Sequence, residues 1–234
     1  MNTENVDAAE IEKFSALASR WWDTESEFKT LHDINPLRVD YIDQQCNGLA
    51  GKKALDIGCG GGILSEALAA RGAQVTGIDM AEQSLEVARL HLHESGQKVD
   101  YQLITAEQFA DEHAAEFDVV CCLEMLEHVP DPASIIEAAA RLLKPNGALV
   151  LSTLNRNPKS FVLAIVGAEY VMKMLPRGTH EYQKFLKPSE LAQAARNAGL
   201  EVVDITVLSY NPFSKNYSLG SDIDVNYLMT CRPQ

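Results

Sequence analysis

Three clusters of residues have types and spacings that support chemistry. The first is Asp56-Ile57-Gly58-Cys59-Gly60-Gly61-Gly62, a glycine loop with an acid two residues before its first glycine. Glycines there permit a tight turn and a close approach of ligand to backbone, and the unpaired N–H groups of a following helix point at that ligand. The second is Asp79, which ends the expected strand Gln74–Ile78. A carboxylate at that place can accept from the two hydroxyls of a ribose. Asp56 would repel a pyrophosphate but can accept from an ammonium group. Together the two acids describe a nucleoside with a cationic amino-acid tail rather than a dinucleotide, and S-adenosyl-L-methionine is such a molecule.

The third cluster is Glu124, Glu127 and His128, spaced i, i+3, i+4 after the expected strand Phe117–Leu123. On a helical turn all three share one face. Three roles compete. His128 can act as general base toward an acceptor hydroxyl, with Glu127 beside it. Glu124, Glu127 and His128 can hold Mg²⁺, which would bind a deprotonated diol. The third role is structural, with solvated acids and a histidine that caps or fills the fold.

Elements must carry these residues. Short strands are expected at 54–57, 74–78, 99–104, 117–123 and 148–153, with helices at 64–71, 84–94, 135–143 and 188–198. Strands alternating with helices argue for a mostly parallel sheet covered on both faces. Two late strands, 202–208 and 225–231, joined by the polar stretch 211–224, fit a closing antiparallel hairpin and bring the expected sheet to seven strands. Residues 1–50 read as a helical segment capping the site: Ile11, Phe14, Leu17, Ala18, Trp21 and Trp22 recur at helical spacing, and Asn35-Pro36 is expected to start a second helix. The tryptophan pair suits a lid or core anchor. Residues 51–234 form the α/β domain, with an insertion at about 155–187.

Composition narrows the partners. The chain has 234 residues and a net charge of −13, the wrong sign for a protein that grips nucleic-acid phosphates over its surface. Five cysteines without a C-x-x-C pair read as buried or free thiols in a reducing compartment. No signal peptide and no membrane span is expected. The segment Phe161–Leu175 is apolar almost throughout, and over 156–187 six Lys or Arg face two acids, a local charge of +4. Such a segment suits a membrane interface, a buried helix or a dimer contact.

The glycine loop with Gly77-Ile78-Asp79-Met80 resembles the class I methyltransferases, a Rossmann-like fold. In that family the loop contacts the methionine part of the cofactor and the acid holds the ribose. The resemblance places Met80 beside the adenine and Ala106-Glu107 at its edge. Longer blocks narrow the match: Ala18-Ser19-Arg20-Trp21-Trp22-Asp23, Ile34-Asn35-Pro36-Leu37-Arg38, Glu124-Met125-Leu126-Glu127-His128-Val129-Pro130-Asp131, Ser152-Thr153-Leu154-Asn155-Arg156-Asn157 and Asp224-Val225-Asn226-Tyr227 are similar to the ubiquinone biosynthesis O-methyltransferases over nearly the whole chain. The resemblance implies cofactor binding at Arg38, Gly58, Asp79 and Leu123, a position that is often Met in the family. Asp56, Gly60, Met80 and Glu107 complete the expected cofactor set. It links divalent metal to the positions of Glu124, Glu127 and His128. It also implies O-methylation of polyprenylated catechol or phenol intermediates at two steps, a cytoplasmic enzyme peripheral to the inner face of the membrane, and partners in a biosynthetic complex. Rival readings are a methyltransferase for another small or lipid acceptor, a silent cofactor-binding subunit, and a nicotinamide dehydrogenase, against which Asp56 counts.

Overall fold

A computed structural model describes residues 5–157, 182–211, 216–220 and 226–234. The insertion expected at 155–187 therefore falls largely outside the described residues, as does its apolar stretch.

The chain begins with helix α1 (Ala8–Leu17), capped by the Asp7 carboxylate, which accepts from the N–H groups of Ala9 and Glu10. A 3₁₀ turn at Ala18–Arg20 leads to Trp21 and Trp22. Helix α2 spans Lys29–Gln45, and Pro36 lies inside it rather than at its start. An interior proline costs about 3 kcal/mol. Ile34, Val39, Tyr41 and Ile42 are buried along this helix, and at roughly 1.5–3 kcal/mol per buried apolar side chain they outweigh that cost.

The α/β part follows as β1 (Lys53–Ile57), α3 (Ile63–Ala70), β2 (Gln74–Asp79), α4 (Glu82–Ser95), β3 (Val99–Leu103), α5 (Ala106–Glu112), β4 (Phe117–Leu123), α6 (Pro132–Leu142), β5 (Leu143–Leu154), α7 (Pro188–Asn197), β6 (Leu200–Asn211), β7 (Asn216–Gly220) and β8 (Asn226–Pro233). Helix α5, to which the sequence pattern assigned no element, starts where the Thr105 hydroxyl accepts from the Gln108 N–H at 3.2 Å. Gly96 ends α4 with a positive φ of 69°, as its place after the last polar turn implies.

The sheet runs β3-β2-β1-β4-β5-β8-β6-β7. Pairing is parallel from β3 to β5, while β8 is antiparallel to both β5 and β6, and β7 is antiparallel to β6. The sheet thus has eight strands where seven were expected. The additional one, β7, comes from the stretch read as a polar connection: an edge strand pairs on one side only and needs no continuous apolar run.

β4 is apolar from Val119 to Leu123 because alternate side chains are buried on opposite faces of the sheet. Its Val120 and Cys122 pack with Phe109, Ile136 and Leu142 on one face, and its Val119 and Cys121 with Ile42, Leu64 and Leu68 on the other. The order of strands reverses between β1 and β4. Ligands of such sheets collect there, at the carboxyl ends of the strands. Gly58, Asp79, Glu124 and Thr153 all stand at those ends.

Candidate active site

The glycine loop is held in place by the neighbouring strand. The N–H groups of Gly58 and Cys59 donate to the Ile78 carbonyl at 2.9 and 3.1 Å. Gly58, Gly60 and Gly62 have φ of 74°, 52° and 85°, left-handed values that a side chain would strain. The Asp79 carboxylate bridges the loop to the next turn: Oδ2 accepts from the Gly60 N–H and Oδ1 from the Ala81 N–H, each at 2.8 Å. Burial pushes the Asp79 carboxyl above its usual range, against the backbone bonds that pull it down. Each oxygen keeps a lone pair for a ligand hydroxyl.

Asp56 lies behind the loop, 3% exposed, with Oδ2 accepting from the Ser65 hydroxyl at 2.6 Å. Burial raises its carboxyl to about 6. Its first partner is thus helix α3, although it also lines the cavity described below.

The tryptophan pair clamps the loop. Trp21 donates from Nε1 to the Ser84 hydroxyl at 3.1 Å and stacks on Phe28 with ring centroids 3.9 Å apart. Trp22 donates from Nε1 to the Gly61 carbonyl at 2.9 Å and stacks on His91.

The loop opens on a cavity of about 760 Å³, within the roughly 300–1,000 Å³ of small-molecule sites. Arg38, Gly58, Gly60, Asp79, Met80, Glu107 and Leu123 line it, together with Glu124, Glu127 and His128. Phe14, Leu17, Trp21 and Leu31 from the N-terminal segment line the same space, as do Leu208, Tyr210 and Tyr217 from the far strands. All of the expected cofactor residues therefore meet in one cavity. Glu107 is partly engaged elsewhere: its Oε1 accepts from Asn5 Nδ2 at 3.0 Å and from the Ser134 hydroxyl at 2.7 Å.

Beyond β4 the arrangement departs from the expected helical face. Glu124 has a φ of 52°, in the left-handed region, and only Leu126–His128 form a 3₁₀ turn. The three side chains diverge in consequence. Glu124 Oε1 accepts from Arg38 Nη2 at 2.9 Å, from the Ser152 hydroxyl at 2.6 Å and from Asn226 Nδ2 at 2.9 Å. Glu127 Oε2 accepts from the Thr153 hydroxyl at 2.8 Å. His128 Nδ1 lies 2.9 Å from Glu10 Oε2. Among the described residues no group of three or more His, Cys, Asp or Glu is placed to hold a metal ion. Glu124, Glu127 and His128 thus do not fit the Mg²⁺ set expected of them, because the left-handed backbone at Glu124 turns its carboxylate to Arg38.

Glu127 is 4% exposed, and its Oε1 is buried without a partner. Burial first, and then the charge of Glu124, raise its carboxyl to about 7. Arg38 is 5% exposed, with Nε buried and unpartnered. A buried orphan donor and a buried orphan acceptor on one cavity wall are what a bound polar ligand would satisfy. The sequence did not single out Glu10, Ser152 or Thr153 as site residues. Ser152 and Thr153 carry a signal in hindsight, since they sit at the carboxyl end of a central strand; Glu10 carries none.

Among the described residues no helix is long and apolar enough to cross a membrane. A family profile described as a methyltransferase domain matches residues 38–205. The ubiquinone biosynthesis O-methyltransferase of Pseudomonas aeruginosa is 66% identical over 225 residues, which cover 96% of this chain and 97% of that one. The enzyme of that name from Marinobacter nauticus is 64% identical over 234 residues, covering 99% of this chain and 98% of its own length. In fold, the magnesium protoporphyrin IX methyltransferase of Synechocystis PCC 6803 with bound SAM is similar with a TM-score of 0.68 at 17% identity, over the full length of both chains. The chain belongs to the ubiquinone biosynthesis O-methyltransferase family, enzymes that use S-adenosylmethionine.

Proposed function

We propose that the chain methylates ring hydroxyls of polyprenylated catechol or phenol intermediates of ubiquinone biosynthesis, at both O-methylation steps. The observation that carries the reading is a single cavity with a cofactor end and a proton-accepting end. The Asp79 carboxylate and the glycine loop form the first, and Glu127 and His128 the second. The names of the relatives at 64–66% identity support the pathway.

When bound, the sulfonium cofactor supplies an electrophilic methyl group. Asp79 would accept from the ribose hydroxyls, and Met80 and Glu107 would face the adenine. Arg38 Nε, buried and unpartnered, suits the amino-acid carboxylate. Asp56, which lines the cavity behind the loop, would accept from the ammonium group. Leu123 lines the cavity between the loop and Glu124. The chain's remaining work is to align an acceptor oxygen with the methyl and to take its proton. His128 Nε2 has no partner among the described residues and is the nitrogen that takes the proton. Glu127, whose carboxyl is pushed up by burial and then by the charge of Glu124, is a second group on that wall placed to accept a proton. No step runs through a metal ion, because the candidate ligands do not converge.

The remaining elements of the reading concern the chain's surroundings. Residues 1–50 act as a cap on the site, supported by Phe14, Leu17 and Trp21 in the cavity wall. The basic and apolar stretch 156–187 contacts the surface of the inner membrane, where an isoprenoid substrate dissolves, with other enzymes of the pathway nearby. The support is its sequence alone. Deleting 161–175 should abolish co-sedimentation with anionic vesicles while leaving the thermal melt unchanged; retained co-sedimentation would contradict the contact. Transfer of label from S-adenosylmethionine to a short-chain polyprenyl catechol tests the activity itself. Transfer to other hydroxylated lipids only would favour a different acceptor.

A further inference from the structure

We infer that Glu10, on the N-terminal helix α1, is the positioning residue for His128, so that the base of the reaction is complete only while α1 is seated on the cavity. This deepens the proposed reaction and rests on His128 being its base.

Glu10 Oε2 lies 2.9 Å from His128 Nδ1, although 118 residues separate them in sequence. Both side chains are largely shielded, at 15% and 14% exposure. Phe14, one helical turn after Glu10, meets the imidazole edge-on, with ring centroids 5.1 Å apart and planes at 88°. The ring is thus gripped at one nitrogen and one edge by the same helix.

The start of the chain pins this arrangement. Asn5 Oδ1 accepts from the Asp131 N–H at 2.8 Å, and Asn5 Nδ2 donates to the Asp131 carbonyl at 2.8 Å. Asp131 ends the loop that carries His128. The N-terminal segment therefore holds that loop at two independent points.

The chemistry follows from the donor inventory. The hydrogen bond from His128 first, and then the charges of His128, Lys13 and Lys184, hold the Glu10 carboxyl below its ordinary value, against burial, which raises it. Glu10 is therefore ionised at neutral pH and can only accept. His128 therefore carries a proton on Nδ1, so that in the neutral ring the lone pair lies on Nε2. A carboxylate on Nδ1 also stabilises the imidazolium formed when Nε2 takes a proton from the acceptor. In the other tautomer the lone pair would sit on Nδ1, against the Glu10 carboxylate, and none would face the acceptor.

The test compares the full-length chain with Glu10→Gln, Glu10→Asp, His128→Ala and the double variant Glu10→Gln/His128→Ala, using labelled S-adenosylmethionine and a short-chain polyprenyl catechol. Glu10→Gln should lower kcat about 10-fold or more. Cofactor Kd should change by less than about 2-fold, and Glu10→Asp should recover part of kcat. On the His128→Ala background Glu10→Gln should cost nothing further. Imidazole ¹⁵N NMR gives a readout apart from turnover: His128 should show a protonated Nδ1 in the wild type and mixed tautomers in Glu10→Gln. An unchanged tautomer, a loss confined to cofactor Kd, or an equal further loss on the His128→Ala background would overturn the inference. If His128→Ala keeps full kcat, the assignment of the base fails first; if only His128→Ala loses activity, the base stands and the positioning role falls.

Discussion

The indole of Trp21 fills the space that a side chain at Gly61 would need. A Cβ on Gly61 would stand 2.3 Å from Trp21 Cγ, and one on Gly60 would stand 2.5 Å from Trp21 Cζ2. The glycines of the loop are therefore required from two sides: Gly60 by its positive φ, Gly61 by the tryptophan laid against it. Gly61→Ala should destabilise the chain by about 1–3 kcal/mol, the usual range for overpacking, and should shift tryptophan emission as Trp21 is displaced. In a Trp21→Ala background the same substitution should cost little. Thermal melts of the four chains test this; an equal cost in both backgrounds would contradict the contact.

Asp79 joins the glycine loop to the start of α4 and faces the cavity. Asp79→Asn removes the charge and leaves one of two backbone N–H groups facing an amide NH₂. Losing a charge-assisted bond costs about 1.5–3 kcal/mol, so cofactor Kd should rise roughly 10- to 100-fold. Fluorescence titration with S-adenosylmethionine reads it. An unchanged Kd would remove Asp79 from the cofactor site.

Glu127 makes stability depend on pH. Its carboxyl is raised from an ordinary 4.5 to about 7, by burial first and by Glu124 second. Between those values the folded chain keeps a proton that the unfolded chain has released, so this group's contribution turns unfavourable as pH rises through the window and stays so above it. Glu127→Gln removes the penalty. The variant should gain stability relative to wild type between pH 5 and pH 8, seen as a higher urea midpoint at pH 8. Parallel pH profiles would contradict the shift.

His128 sits against Glu10 and Phe14 on the cavity wall. His128→Ala should cut kcat by roughly 10²-fold or more, with cofactor Kd near the wild-type value. A loss in cofactor affinity alone would assign the ring to binding instead.

The sequence made local chemistry legible and long-range contacts opaque. The glycine loop and Asp79 could be read because strand, turn and acid follow one another closely. β4 could be read because both of its faces are buried. The shared face of Glu124, Glu127 and His128 was expected from helical spacing, but the backbone turns left-handed at Glu124 and sends the carboxylate to Arg38. Pro36 suggested a helix start, and buried neighbours carry α2 through it. β7 lacks an apolar signature because it pairs at the sheet's edge. Glu10 could not be read at all, because its role exists only once α1 has folded back across 118 residues.

Methyl transfer from labelled S-adenosylmethionine to a short-chain polyprenyl catechol, with and without EDTA, tests the central claim most directly. The account predicts label in the O-methylated catechol at equal rates in both arms, because Glu124, Glu127 and His128 each have a partner other than a metal. Tight cofactor binding with no transfer would contradict the assigned acceptor, and transfer abolished by EDTA and restored by Mg²⁺ would contradict the metal-free site.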